Sequence, residues 1–286
     1  MKLSFTTLGC MDWDIPTIAA RAAEYGYQGV DFRGYLNELN LTKFAEFGAK
    51  SAETKRIFDD AGIAVSCISS SSHLTARGAA KTAHLAEIKA YCEIAAALGA
   101  PYIRVFGGGL EGRPYTEALP EVAEFMRTIS AYAKAQGVAI VVETHDDWVD
   151  TRKLIRAFEY AGYPESVWAL WDVNHPYRFA NEAPADTYAR IGKLVRYTHW
   201  KDTAVLLQKN RFTGAIQEKE IHTLPGFGTL PLDEFYSLLA HDNYDGWYTL
   251  EWERKWHPEM ERPEIAFPEF VKVMRTIEKN AESTIP

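Results

Sequence analysis

Short runs of β-branched and aromatic residues alternate along the chain with longer stretches whose apolar residues recur every three or four positions. The short runs fall at 3–9, 29–33, 64–70, 102–107, 139–145, 167–172, 195–201 and 247–252. Several are apolar almost throughout, which is the pattern of strands covered on both faces in a parallel sheet rather than on one. Between them, Leu85, Ile88, Cys92, Ala95 and Leu98 keep helical spacing, as do Val122, Phe125, Met126, Ile129 and Ala133, so each stretch predicts a helix with one apolar stripe. Tyr25-Gly26, Ala61-Gly62 and Gln136-Gly137 each precede a strand, as expected where glycine takes the left-handed residue that closes a helix.

Eight such units in 286 residues allot about 36 residues to each, room for one strand, one helix and two turns. An open doubly wound sheet alternates in the same way, but its Gly-rich turn after the first strand is missing: Thr6-Thr7-Leu8-Gly9-Cys10 holds one glycine. With no Pro/Ser-rich linker or charge block to divide it, the chain is expected to be α/β, a (β/α)8 TIM barrel forming a single domain over 1–286. The segment 203–228 departs from the rhythm. It shows no clear periodicity and is far longer than an ordinary connection, so it reads as an irregular functional loop after the seventh strand.

A composition of 47% hydrophobic and 24% charged residues supports a large core and excludes a disordered or low-complexity chain. The formal charge of -8, without a basic patch, argues against a nucleic-acid partner or an anionic membrane. No stretch approaches the roughly 20 apolar residues of a membrane span, and the N-terminus lacks the apolar core of an export signal. Cys10, Cys67 and Cys92 are isolated and odd in number, which fits a reducing compartment. The expected location is the cytoplasm.

Active sites of such barrels lie at the C-terminal ends of the strands. Reading those ends on strands five to eight gives Glu143, Asp172, His199 and Glu251, four ionisable side chains that a barrel would bring together at its mouth. Three carboxylates packed there would raise one another's pKa unless a cation joined them. Three oxygens and one imidazole make a hard ligand set, so a divalent metal is expected, Mn²⁺ or Mg²⁺ ahead of Zn²⁺ or Co²⁺. Taking a proton from carbon beside a carbonyl creates an enediolate, whose growing negative charge a divalent cation stabilises. Glu143 and Glu251 could then flank a sugar as an acid/base pair. Candidates for orienting it are His145, Arg104, Lys201 with Asp202, and the aromatics Trp148, Trp200, Trp252 and Trp256.

The segments Val142-Glu143-Thr144-His145, Asp172-Val173-Asn174-His175, His199-Trp200-Lys201-Asp202, Pro225-Gly226-Phe227-Gly228 and Gly246-Trp247-Tyr248-Thr249-Leu250-Glu251 resemble the xylose isomerase-like barrel superfamily. That superfamily comprises sugar and sugar phosphate isomerases and epimerases, with ketose 3-epimerase, hydroxypyruvate isomerase and inosose dehydratase relatives. The resemblance implies that Glu143, Asp172, His199 and Glu251 hold the ion, that the two glutamates are the acid/base pair, and that His175 contacts substrate oxygens. It implies a small-molecule carbohydrate as substrate, and members are often homo-oligomers; the segment 252–258 could be an interface or a pocket wall.

The same site serves isomerisation, epimerisation and, if a β-hydroxyl or glycosidic oxygen departs, a lyase or dehydratase reaction on a keto-sugar, keto-polyol or keto-glycoside. A phosphodiesterase like the apurinic-site endonucleases would need further histidines, and strand four ends Phe106-Gly107-Gly108-Gly109 with none, although His73 could serve from strand three. A non-catalytic sugar-binding barrel is the remaining alternative. The 225–228 turn could cradle a phosphate or be a plain turn. His222 reads as loop surface, and His84 and His241 as surface residues of helices.

Overall fold

The protein is described by a computed structural model over residues 1–284. Its barrel strands are β1 (Lys2–Thr6), β2 (Gly29–Phe32), β3 (Ala64–His73), β4 (Tyr102–Phe106), β5 (Ala139–Glu143), β6 (Val167–Asp172) and β7 (Val195–Trp200), followed after an excursion by β10 (Trp247–Leu250). The excursion is β8 (Asp202–Lys209) and β9 (Ile216–Thr223). The eight barrel strands close in the order β1-β10-β7-β6-β5-β4-β3-β2, every pair parallel, so the expected TIM barrel is the fold. Around it run α1 (Ile15–Tyr25), α2 (Ser51–Asp60), α3 (Gly78–Leu98), α4 (Tyr115–Ala135), α5 (Thr151–Ala161), α6 (Asn174–Phe179), α7 (Pro184–Ile191), α8 (Leu232–His241) and α9 (Pro263–Thr284). Asp14 caps α1 by accepting from Thr17 N at 3.0 Å, and Gly26 closes it at φ 85° with its amide on the last carbonyls.

Strand side chains alternate between the barrel interior and the helical layer, and both sides are buried. Inward go Cys67, Val141, Leu170, Tyr197 and Trp247, a plug of its own in the barrel. Outward go residues such as Val142, Ala169, Trp171, Trp200 and Leu250, which join the main core with the helices. Two apolar faces per strand explain why these segments read as continuous apolar runs. Ser4, Ser66 and Tyr197 place hydroxyls in the interior and satisfy one another, at 2.7 and 2.8 Å. All three cysteines are buried and free.

The segment 203–228 is a correction to the sequence reading. Most of it is not irregular: β8 and β9 pair antiparallel from Asp202↔Thr223 to Lys209↔Ile216. The ribbon's turn is built by Asn210, whose Oδ1 accepts from Phe212 N at 2.9 Å and Thr213 N at 3.0 Å. Val205, Leu206, Leu207, Phe212 and Ile216 are all exposed. Beyond its half-buried base the ribbon has no apolar face held against a core, so little in the sequence enforces the alternation by which a strand is recognised. No helix among the described residues is long and apolar enough to cross a membrane.

Candidate functional site

The interior plug sets the positions of the polar residues above it. One strand repeat beyond Val141 stands Glu143, beyond Leu170 stands Asp172, beyond Tyr197 stands His199, and Glu251 follows two residues after Thr249, just past the end of β10, with its amide on Trp200 O. Register completes the convergence: Asp172 pairs with His199 across β6 and β7, and Thr249 pairs with His199 across β10 and β7. Glu143, Asp172, His199 and Glu251 are all buried, and each offers a ligand-type atom within 4.8 Å of the others. The four residues singled out in the sequence therefore meet in one place.

His199 is the hub. Its Nε2 lies 3.2 Å from Asp31 Oδ2, and its Nδ1 lies 3.5 Å from Glu143 Oε1 and 3.3 Å from Glu251 Oε1. Asp31, at the end of β2, is itself fixed by Ser69, whose Oγ donates to Oδ1 at 2.7 Å. A carboxylate accepting Nε2–H selects the tautomer whose Nδ1 lone pair points at the other three ligand residues, the arrangement that orients metal-binding imidazoles. Asp31 was missed in the sequence because only strands five to eight were read at their ends; Gly29-Val30-Asp31-Phe32 carries the same signal of an acid inside an apolar strand.

Two cations stand among the carboxylates. Arg104 on β4 places Nε 3.2 Å from Glu143 Oε2 and lies 3.8 Å over the Phe106 ring. Lys201 reaches Glu251 Oε2 at 2.6 Å and Asp172 Oδ2 at 3.1 Å, and also pairs with Glu253. Burial works against the charge of every group here, and the partners decide the outcome. Despite burial, Arg104 holds the Glu143 carboxyl below the ordinary carboxylate range, and Lys201 and His199 do so for Glu251. Burial prevails at Asp172, whose pKa is raised even though His175 and Lys201 oppose it. Lys201 is held protonated by Asp172, Glu251 and Glu253 against its burial.

This ion-paired network contains five carboxylates, those of Asp31, Glu143, Asp172, Glu251 and Glu253, against the two permanent cations Arg104 and Lys201. Against its burial, Glu251, Asp31 and Glu143 raise the pKa of His199, so without an ion the imidazole adds to Lys201 and Arg104 in the neutralisation that the sequence reading assigned wholly to a metal, and negative charge still remains in excess. His199 Nδ1 and both Glu143 oxygens are also buried without a hydrogen-bond partner. Unsatisfied buried acceptors beside excess negative charge fit a divalent cation, which would take its donors from Glu143, Asp172, His199 and Glu251.

The remaining candidates divide. His175 stands at the start of α6 with Nδ1 3.0 Å from Thr144 O, and its amide and that of Asn174 donate to Asp172 Oδ1 at 3.2 and 2.8 Å. His145 packs on Phe106 and on His175 with ring centroids 4.5 and 4.8 Å apart, and its side chain is 36% exposed, so it sits at the opening rather than the floor. Trp252 is not brought into the cluster as a donor: its buried indole N–H goes to Glu261 O at 2.9 Å. Trp148 and Trp200 likewise donate within the protein, to Gly108 O and Thr198 Oγ1. Arg33 was not foreseen; it is buried and its Nη1 has no partner. The 225–228 turn is no phosphate cradle, because the amides of Gly226 and Gly228 both donate to Asp202 Oδ2 at 2.9 Å. His73 stacks on His84 at 5.5 Å and stands outside the four-residue cluster.

Comparison with known proteins agrees with this architecture. Inosose dehydratase of Bacillus anthracis is 26% identical over 149 residues, 48% of this chain and 48% of that protein. The chain thus spans about half the length of the curated relatives it matches. Among solved structures, the probable 3-DHS dehydratase AsbF of Bacillus anthracis superposes with a TM-score of 0.76 at 16% identity, covering 96% of this chain and 99% of that one. The 3-keto-D-glucoside 4-epimerase YcjR of E. coli does so with a TM-score of 0.74 at 15% identity, covering 96% and 99%. At such identities the two structures speak for the fold alone. A family model described as xylose isomerase-like TIM barrel matches residues 19–276, nearly the whole chain, and the protein belongs to that family.

Proposed function

We propose that the protein is a divalent-metal-dependent isomerase or epimerase that removes a proton from the carbon beside the carbonyl of a keto-sugar or keto-polyol, with Glu143 and Glu251 as the acid/base pair. The observation that carries this reading is the convergence of Glu143, Asp172, His199 and Glu251 within one ligand-sized volume, with Asp31 fixing the tautomer of His199. When bound, a divalent ion supplies positive charge to the carbonyl and hydroxyl oxygens of the substrate. Mn²⁺ is the ion that the oxygen-rich donor set favours.

The chain's own residues do the rest. Arg104 and Lys201 hold Glu143 and Glu251 ionised, the state from which either can accept a proton. The two glutamates come from strands three places apart in the ring of eight, so they approach a bound substrate from different sides. A proton returned to the same carbon inverts it, and one returned to its neighbour moves the carbonyl. His145 packs on Phe106 and on His175, and the two histidines are the contacts for substrate oxygens in this reading.

Glu143→Gln and Glu251→Gln should each lose about 10²- to 10⁴-fold in turnover on a keto-sugar substrate while keeping the fold. Turnover unchanged in both would refute the assignment. A dehydratase is the second reading, favoured by the similarity to inosose dehydratase. Mass spectrometry of the product separates the two, since dehydration removes one water and epimerisation removes nothing.

A further inference from the structure

A second group of ligand-type side chains lies outside the barrel cluster. His222 is near the end of β9, while Glu253 and His257 belong to the segment after β10. The His257 amide donates to Glu253 O at 3.1 Å, closing one helical turn that puts the two side chains on the same side of the segment. His222 comes to them from the ribbon, with its ring centroid 4.6 Å from that of His257. One ligand-type atom from each of the three lies within 4.8 Å of the other two. His222 Nδ1 is buried and has no hydrogen-bond partner, so a polar atom has been taken from water at this point without compensation.

We propose that His222, Glu253 and His257 form a second divalent-cation site, filled by zinc, that joins the β8–β9 ribbon to the segment after β10. The donor set separates it from the barrel cluster. Two imidazoles and one carboxylate suit Zn²⁺ and leave its fourth position open, whereas three carboxylates and one imidazole suit a harder ion. Zinc–ligand distances of about 2.0 to 2.2 Å require ligand atoms about 3.4 Å apart in a tetrahedron, so atoms lying within 4.8 Å of one another need to draw together by at most about 1.4 Å. His257 has the freedom to do so, since its side chain is 40% exposed. The ribbon's base is already tied to the barrel rim: Asn174 Nδ2 donates to Glu220 Oε1 at 3.0 Å, and Thr203 Oγ1 donates to Asn174 Oδ1 at 3.0 Å. An ion two residues beyond Glu220 would extend that seam across to the neighbouring loop. Glu253 also pairs with Lys201, so the two clusters share a charged neighbour although they share no ligand.

The test is a zinc count. Full-length protein is stripped with a chelator, incubated with Zn²⁺, desalted, and its retained zinc measured by mass spectrometry. The expected result is one equivalent fewer in each of His222→Ala and His257→Ala than in the wild type, the first substitution on the ribbon and the second on the facing segment. Because His257 is half-buried and stands outside the barrel strands, its variant reports binding without disturbing the barrel. Replacement by Co²⁺ should give a tetrahedral visible absorption that both variants lose. Either variant retaining as much zinc as the wild type would overturn the proposal. Loss of the barrel cluster's ion is read separately in His199→Ala and leaves this comparison intact.

Discussion

The barrel wall and the β8–β9 ribbon are both β structure, yet they are encoded in opposite ways. Leu170 in the wall is fully buried, and Leu207 in the ribbon is 68% exposed. In the wall each apolar residue is held between the interior plug and the helices, so position and side-chain type constrain each other. In the ribbon the backbone ladder does the work and the side chains meet water. Burial makes a strand readable; hydrogen bonding alone does not.

Substitution should separate the two regions by stability. Leu170→Ala removes part of the interior plug beneath Asp172 and should cost about 2–5 kcal/mol in denaturant unfolding. A cost below about 1 kcal/mol would mean that the plug tolerates voids and does not set the height of the polar residues. Asp31→Asn keeps the shape but weakens acceptance from His199 Nε2, and should lower divalent-metal affinity by about 10- to 100-fold in a competition titration. Unchanged affinity would show that the orientation of His199 is fixed by packing alone. Leu207→Ala, at the other extreme, should shift stability by no more than about 0.5 kcal/mol. A larger loss would place a partner surface on the ribbon.

The same contrast explains what could be read from the sequence. The barrel was legible because eight apolar runs and their helical spacers repeat, and four site residues were legible because they end those runs. Asp31 carried the same signal on β2 and went unread with the rest of that half of the barrel. Lys201 was found by position, but its grip on Asp172, Glu251 and Glu253 at once comes from three separate segments, which spacing does not show. Trp252 was picked for its chemistry, and only the fold reveals that the Glu261 carbonyl takes its indole N–H. Asp202 is the counterpart: the 225–228 turn invited a phosphate-binding reading, while the folded chain gives the Gly226 and Gly228 amides to the Asp202 carboxylate.

The central claim is that Glu143, Asp172, His199 and Glu251 hold one divalent ion at the barrel mouth. The most direct test is an anomalous-scattering crystal structure of protein loaded with Mn²⁺. The account predicts a peak bounded by one atom from each of the four residues at about 2.0 to 2.6 Å. No peak there, or a peak that leaves any of the four outside its coordination sphere, would contradict it.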